Sequence, residues 1–299
     1  MTQQPIVVGF DDSPASREAL SWAMRTAHSR SADVLLVHAA KTFPPMVVGH
    51  RTYVAFPHEI EVDAGEAVLQ AGKLLAARLD PRVRVSAELV DDAPAAGILR
   101  VLDDAAMVVV GSRGLGGFRE LLVGSTSLKL STHAPCPVIV VRGETPGLEP
   151  GQEVGRIVVG MDDPGQTTSD ALAFAFEEAS LRHTGLTVLH AWQEPFFDLP
   201  GKGAPVPTRI QLEEFQLGQR RSLSEHLAGW QEKYPDVDVK PDVVMQNPAG
   251  VLVAASTGAE LLVLGSHGHG WPHSVMMLGS VTHAVLHHAH CPVAVVGHR

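Results

Sequence analysis

Cysteine is almost missing from this chain: its 299 residues hold two, Cys136 and Cys291. Two thiols cannot build a disulfide framework. Each precedes a proline and an apolar run, which reads as a small buried residue at the start of a strand. A reducing, cytoplasmic compartment is the expectation. Aromatic residues are scarce as well, at 5%, so the cores must be assembled mainly from Val, Leu, Ala and Ile. No apolar run approaches the roughly 20 residues that cross a bilayer. The opening Met1-Thr-Gln-Gln-Pro5 has neither the charged nor the apolar region of a signal peptide, and none is expected. Positive charge is in deficit: 23 Lys and Arg stand against 33 Asp and Glu, a net charge of −10. Residues 1–147 carry 14 basic and 16 acidic side chains, and residues 148–299 carry 9 and 17. Neither half is basic, which excludes the clustered Lys and Arg of a nucleic-acid partner. Also missing are the Gly-x4-Gly-Lys-Ser/Thr loop with its phosphate-reaching lysine, a Gly-x-Ser-x-Gly elbow and a His-Glu-x2-His helix. No catalytic residue is nominated.

What the chain does have is a repeat. Residues 111–125 read Gly-Ser-Arg-Gly-Leu-Gly-Gly-Phe-Arg-Glu-Leu-Leu-Val-Gly-Ser, and a near copy spans residues 265–280. Around it, Ile6–Ser13 is echoed by Ile157–Pro164, Val34–Ala39 by Leu186–Ala191, and Pro135–Val141 by His290–Val296. The offset drifts only from 151 to 155, so insertions are few and small. Copies of about 150 residues suit two domains, 1–147 and 148–299. A Gly-, Pro- and Glu-rich stretch at Gly143–Gly155 reads as their linker.

In the first copy, short β-branched runs at 6–10, 34–40, 83–90, 107–111 and 138–142 predict strands, apolar on both faces as in a buried parallel sheet. Ser13 and Pro14 predict the N-cap and first turn of a helix reaching Arg30. Ile60–Leu79 predicts a longer amphipathic helix and Pro94–Asp104 a shorter one. The alternation predicts an α/β fold with a doubly wound parallel sheet in each copy. Ligands of such sheets sit beyond the carboxyl ends of the strands, where strand order reverses. Segments 41–59 and 193–207 are irregular and contain proline, so they are expected to be surface loops.

The glycine loops carry the chemistry. Gly111 ends a strand and frees the chain to turn, while Gly114, Gly116 and Gly117 permit a ligand to come close. Gly124 and Ser125 open a helix, where Ser125 and Thr126 can donate to phosphate oxygens beside the helix dipole. A plain turn with a helix cap explains one such loop. Its repetition behind a strand favours anion binding.

At this point the chain resembles the universal stress protein family in its tandem, two-domain form. The family's ATP-binding signature, Gly-x2-Gly-x9-Gly-(Ser/Thr), is matched by residues 111–125. The Asp closing the first strand and the Cys-Pro-Val entering the last are further points of likeness. The resemblance implies two tandem Rossmann-like, five-stranded parallel sheets of order 3-2-1-4-5, with one ATP per domain. It implies that Gly9 and Asp11, and Gly160 and Asp162, lie at the ribose and adenine side, with Ala39 and Ala191 offering backbone groups to the base. Gly111, Arg113, Gly114, Gly116, Gly117, Gly124, Ser125 and Thr126 would hold the phosphates of the first nucleotide. Gly265, His267, Gly268, Gly270, Gly279, Ser280 and Val281 would hold those of the second. It further implies a cytoplasmic, ATP-binding regulator of stress adaptation, growth arrest or dormancy, homo-oligomeric through the family's dimer surfaces. A weak ATPase or nucleotidyl-transfer enzyme of the related adenine-nucleotide hydrolase class is the alternative.

Two features complicate this. The doubled Asp11-Asp12 leaves either residue available for a turn. In the second copy, ten residues rather than nine separate Gly268 from Gly279, which shifts donors by up to about 3.5 Å unless a bulge near Trp271-Pro272 absorbs it. Sixteen histidines invite a metal reading. His283 and His287 stand one helical turn apart with His288 and His290 nearby, but they lack an acidic or thiolate partner in sequence, and no metal is expected. His38 and His190, at the end of a buried strand, read as hydrogen-bonded structural residues.

Overall fold

Runs of Val, Ile and Leu buried on both sides build the framework, as parallel strands between two layers of helices require. The computed structural model describes residues 4–40, 46–48, 51–53, 58–114, 123–142, 155–162, 169–192, 209–266 and 278–297. The chain divides into two units, Met1–Glu144 and Thr145–Arg299. Of the expected linker, Gly155 alone is described, with φ +81°.

The first unit runs β1 (Ile6–Gly9), α1 (Pro14–Arg30), β2 (Val34–Ala39), β3 (Met46–Val48), β4 (Arg51–Tyr53), α2 (His58–Leu79), β5 (Val85–Val90), α3 (Pro94–Leu99), β6 (Met107–Gly111), α4 (Ser125–His133) and β7 (Val138–Val141). Its five parallel strands lie in the order β7-β6-β1-β2-β5. Numbered along the chain, that is 3-2-1-4-5. β1 therefore sits centrally, with Gly9 opposite Val37 on one side and Val110 on the other. Strand order reverses between β1 and β6, and that is where a crevice opens. α1 and α2 contact each other, as do α3 and α4.

The second unit repeats the plan: β8 (Ile157–Met161), α5 (Ser169–Arg182), β9 (Leu186–Trp192), α6 (Arg209–Lys233), β10 (Val239–Met245), α7 (Pro248–Ala255), β11 (Leu261–Gly265), α8 (Ser280–His288) and β12 (Val293–Val296). Its strands follow the same order, β10-β9-β8-β11-β12. Both cysteines are buried thiols outside any disulfide, each just ahead of its unit's last strand.

Two expectations need correction. α3 stops at Leu99 rather than Asp104, because the chain tightens there: Val101 and Leu102 bond back three residues, to the carbonyls of Ile98 and Leu99. That tighter winding brings Leu102 into the core at 0% exposure. Within 41–59, where a loop was expected, β3 and β4 pair antiparallel, Val47 opposite Thr52. Two strand-forming triplets two residues apart have hairpin spacing. Residues 193–207 lie outside the described residues. No helix among the described residues is long and apolar enough to cross a membrane.

Candidate functional site

β1 delivers the chain through Phe10, whose N–H bonds the Val37 carbonyl at 2.9 Å, to Asp11. The Asp11 Oδ1 accepts from the Ser13 N–H at 3.1 Å and from its hydroxyl at 2.5 Å. Asp12 goes elsewhere. Its backbone is left-handed, φ 61°, and its carboxylate takes Nε and Nη2 of Arg17 at 2.9 and 3.0 Å. The doubled aspartate is thereby divided: Asp11 lines the crevice, and Asp12 is tied to the surface of α1. Beside them, His38 Nδ1–H donates to the Phe10 carbonyl at 2.7 Å. His190 repeats the tie with the Met161 carbonyl at 3.0 Å.

β6 delivers the glycine loop. Ser112 N–H bonds the Val141 carbonyl at 2.7 Å, and Gly124 N–H returns to the Ser112 carbonyl at 2.7 Å. The Ser127 hydroxyl donates to the Gly111 carbonyl at 2.8 Å. These bonds staple the start of α4 to the end of β6. Gly124 is the N-cap of α4 and makes no side-chain cap bond. The first-turn N–H groups of a helix have no intrahelical partners, so those of Ser125, Thr126 and Ser127 open toward the crevice with the positive end of the dipole.

The motif's glycines have separate tasks. Gly111 does not use a left-handed backbone. A Cβ there would lie 2.7 Å from the Ala15 carbonyl carbon and 2.9 Å from its oxygen, so this glycine admits the first turn of α1 against β6. Gly9 and Gly160 likewise leave room for side chains, Ile98 and Val110 in one unit and Leu252 and Leu264 in the other. At Gly114 a Cβ would lie 2.5 Å from Asp11 Oδ2, which brings loop and aspartate together. Gly124 differs. The nearest protein atom to its Cβ would be 3.4 Å away, so its emptiness serves whatever enters the crevice.

A cavity of about 670 Å³ joins these parts. Gly9, Asp11 and Ala39 reach it from the ends of β1 and β2, Gly111, Arg113 and Gly114 from β6, and Gly124, Ser125 and Thr126 from α4. Gly116 and Gly117 lie outside the described residues. Phe10, Val37, Ile98 and Val123 supply apolar walls. All four are buried like core residues, and nothing in an apolar pattern separates a core residue from a wall. The cavity thus offers anion donors with Arg113 at one place, a carboxylate acceptor at another, and apolar surface between.

The second unit repeats the anchors. Gly279 N–H bonds the Ser266 carbonyl at 3.0 Å, and the Thr282 hydroxyl bonds the Gly265 carbonyl at 2.8 Å. Gly279 and Ser280 hold the same place at the helix start as Gly124 and Ser125, so the extra residue falls within 267–278. His267, Gly268 and Gly270 lie outside the described residues, as does Trp271-Pro272. Val281 stands where the first unit has Thr126 and brings no hydroxyl. Asp162 is exposed after β8, and Ala191 is buried in β9. The rings of His283 and His287 approach to 4.7 Å, and no group of three His, Cys, Asp or Glu among the described residues could hold a metal.

Comparison with known proteins agrees with this duplicated plan. The profile of the universal stress protein family matches residues 3–142 and again 153–297. A universal stress protein of Mycobacterium tuberculosis is 37% identical over 299 residues, covering 98% of this chain and 97% of that protein. One from Mycolicibacterium smegmatis is 37% identical over 301 residues, covering 99% and 97%. Among solved structures, a universal stress protein from Archaeoglobus fulgidus superposes with a TM-score of 0.68 at 16% identity, covering 99% of this chain and 97% of that one. That likeness concerns the fold. With the family profile matched twice and more than a third of residues identical across nearly the whole length, the chain belongs to the universal stress protein family.

Proposed function

We propose that this protein binds ATP, one molecule in each unit, and acts as a nucleotide-dependent regulator in stress adaptation, growth arrest or dormancy. The observation that carries the reading is the convergence, in one cavity at the strand-order switch point, of the Asp11 carboxylate and the uncapped N-terminus of α4. A carboxylate accepts from sugar hydroxyls, while helix-start N–H groups, Arg113, Ser125 and Thr126 suit phosphate oxygens. Phe10, Val37 and Ile98 give an adenine apolar surface, beside the backbone of Ala39. The cavity volume falls in the range of small-molecule sites, about 300–1,000 Å³. The stapled start of α8, with Gly279 and Ser280 in place, supports a second site of the same kind. The protein works in the cytoplasm as a homo-oligomer, and its loops present the nucleotide state to a protein partner.

The test is direct. Protein purified without added nucleotide is acid-quenched, and the supernatant is resolved on an anion-exchange column. ATP is the expected result. ADP with released phosphate turns the reading toward a hydrolase, and a supernatant without nucleotide, from protein that also fails to bind added ATP, overturns it.

A further inference from the structure

Asp11 sits beyond the end of its strand, and a short ring of hydrogen bonds to α1 helps to orient its carboxylate. The Ser13 hydroxyl has one proton. The Ser16 N–H donates into its oxygen at 3.2 Å, so the proton must point the other way, to Asp11 Oδ1 at 2.5 Å. The Ser13 N–H adds a second donor to the same oxygen at 3.1 Å. Ser16 closes the ring, its hydroxyl donating to the Ser13 carbonyl at 3.0 Å and accepting the Asp11 N–H at 3.4 Å. Every donor has one direction available, and such chains strengthen one another. With Oδ1 held by two donors, the carboxylate plane cannot turn, and Asp11 and Ser16 both line the cavity. The second copy reads Asp162-Asp163-Pro164. Proline has neither an N–H nor a hydroxyl, so this ring is written in the first copy only.

We propose that Ser13 is a positioning residue that makes the first site selective for nucleotides with an intact ribose diol. This rests on the ATP-binding reading of that site. A ribose diol offers two O–H donors, and a carboxylate already fixed in orientation receives them without losing rotational freedom on binding. A free carboxylate would attract the same sugar less and discriminate it less from a deoxy sugar. Ser13 touches Asp11, not the ligand.

The full chain and its Ser13→Ala and Ser13→Thr variants are titrated calorimetrically with ATP, 2′,3′-dideoxy-ATP and inorganic tripolyphosphate. The second unit is unaltered throughout, so differences between variants arise in the first. A hydrogen bond to a charged group sets the scale at about tenfold in affinity. The wild type should prefer ATP over the dideoxy nucleotide by about that factor. Ser13→Ala should shrink the preference to about threefold or less, Ser13→Thr should keep it, and tripolyphosphate affinity should move less than about twofold in either variant. A preference that survives in Ser13→Ala overturns the proposal. So does an equal loss for all three ligands, which would mark Ser13 as a helix cap alone. A wild type that binds ATP without preferring the diol overturns the proposal and leaves the nucleotide reading standing, whereas a wild type that binds none of the three overturns both.

Discussion

Two glycines of one motif should respond to the same substitution in opposite ways. In Gly111→Ala, the new methyl would meet the Ala15 carbonyl carbon at 2.7 Å, its Cβ at 2.8 Å and its oxygen at 2.9 Å. Two of those atoms are backbone, so no rotamer change relieves the contact and the first turn of α1 must move away from β6. Overpacking of this kind costs about 1–3 kcal/mol, against which the stiffer unfolded chain returns about 0.4–1 kcal/mol. A net loss near 1 kcal/mol lowers the melting temperature of a domain this size by about 2–4 °C. In Gly124→Ala, the nearest atom is the Ser112 carbonyl oxygen at 3.4 Å, an ordinary contact, and the backbone, with φ −76° and ψ 154°, is open to any residue. Stability should stay within about 0.5 kcal/mol, while the methyl projects into space that a phosphate needs and ATP affinity falls. Thermal unfolding without ligand and ATP titration on both variants separate the outcomes. Equal melting temperatures for Gly111→Ala and wild type, or unchanged ATP affinity in Gly124→Ala, would refute the division of labour.

Further outcomes concern stability. Glu178, 1% exposed, accepts Nε of Arg182 at 2.7 Å, and Nη1 of Arg182 reaches Glu260 at 2.7 Å. Burial works against the Arg182 charge, but the two carboxylates more than offset it and its pKa is raised. Glu178→Gln should therefore cost about 3 kcal/mol in chemical denaturation, and a variant as stable as wild type would refute this. Ser131 is buried and, among the described residues, its hydroxyl has no hydrogen-bond partner. The second copy has Leu286 at that position, so Ser131→Ala should raise stability by about 1 kcal/mol, and a lowered melting temperature would count against it. The Arg82 side chain, then its N–H, hold the Asp80 carboxyl down at about 2. An unfolded Asp titrates near 3.9, so this stabilisation is complete above that pH and fades as pH falls toward 2. The melting temperature of Asp80→Asn should vary less with pH across that window than wild type, and identical slopes would refute it.

Much of this could be read in the residues. Ser13-Pro14 announced the start of α1, and the β-branched runs announced each parallel strand of the first unit within a residue or two. The motif residues Asp11, Gly111, Gly114 and Gly124 do meet at one cavity wall. What stayed hidden is tertiary. Gly111 looked like a turn glycine because the chain turns after it, yet the constraint comes from Ala15, nearly a hundred positions away. Ser127 resembles its neighbours Ser125 and Thr126, but its hydroxyl is taken by the Gly111 carbonyl. Phe10 and Val37 are buried like any core residue, and only the reversal of strand order brings them to the wall of a cavity. The hairpin of β3 and β4 was obscured by the prolines around it.

The bond from Gly124 to Ser112, and its twin from Gly279 to Ser266, also bears on how such proteins diverge. Each ties the two ends of a loop to the scaffold, so what lies between is a closed ring. The entropy of closing a ring grows only with the logarithm of its length, and one added residue in a ring of this size costs less than about 0.1 kcal/mol. The second copy has taken that step with its anchors intact. A lineage can thus lengthen, shorten or rewrite the loop one residue at a time with almost no thermodynamic resistance from the fold. Selection then acts on what the loop touches, and two copies in one gene product are free to drift toward different ligands while remaining the same architecture.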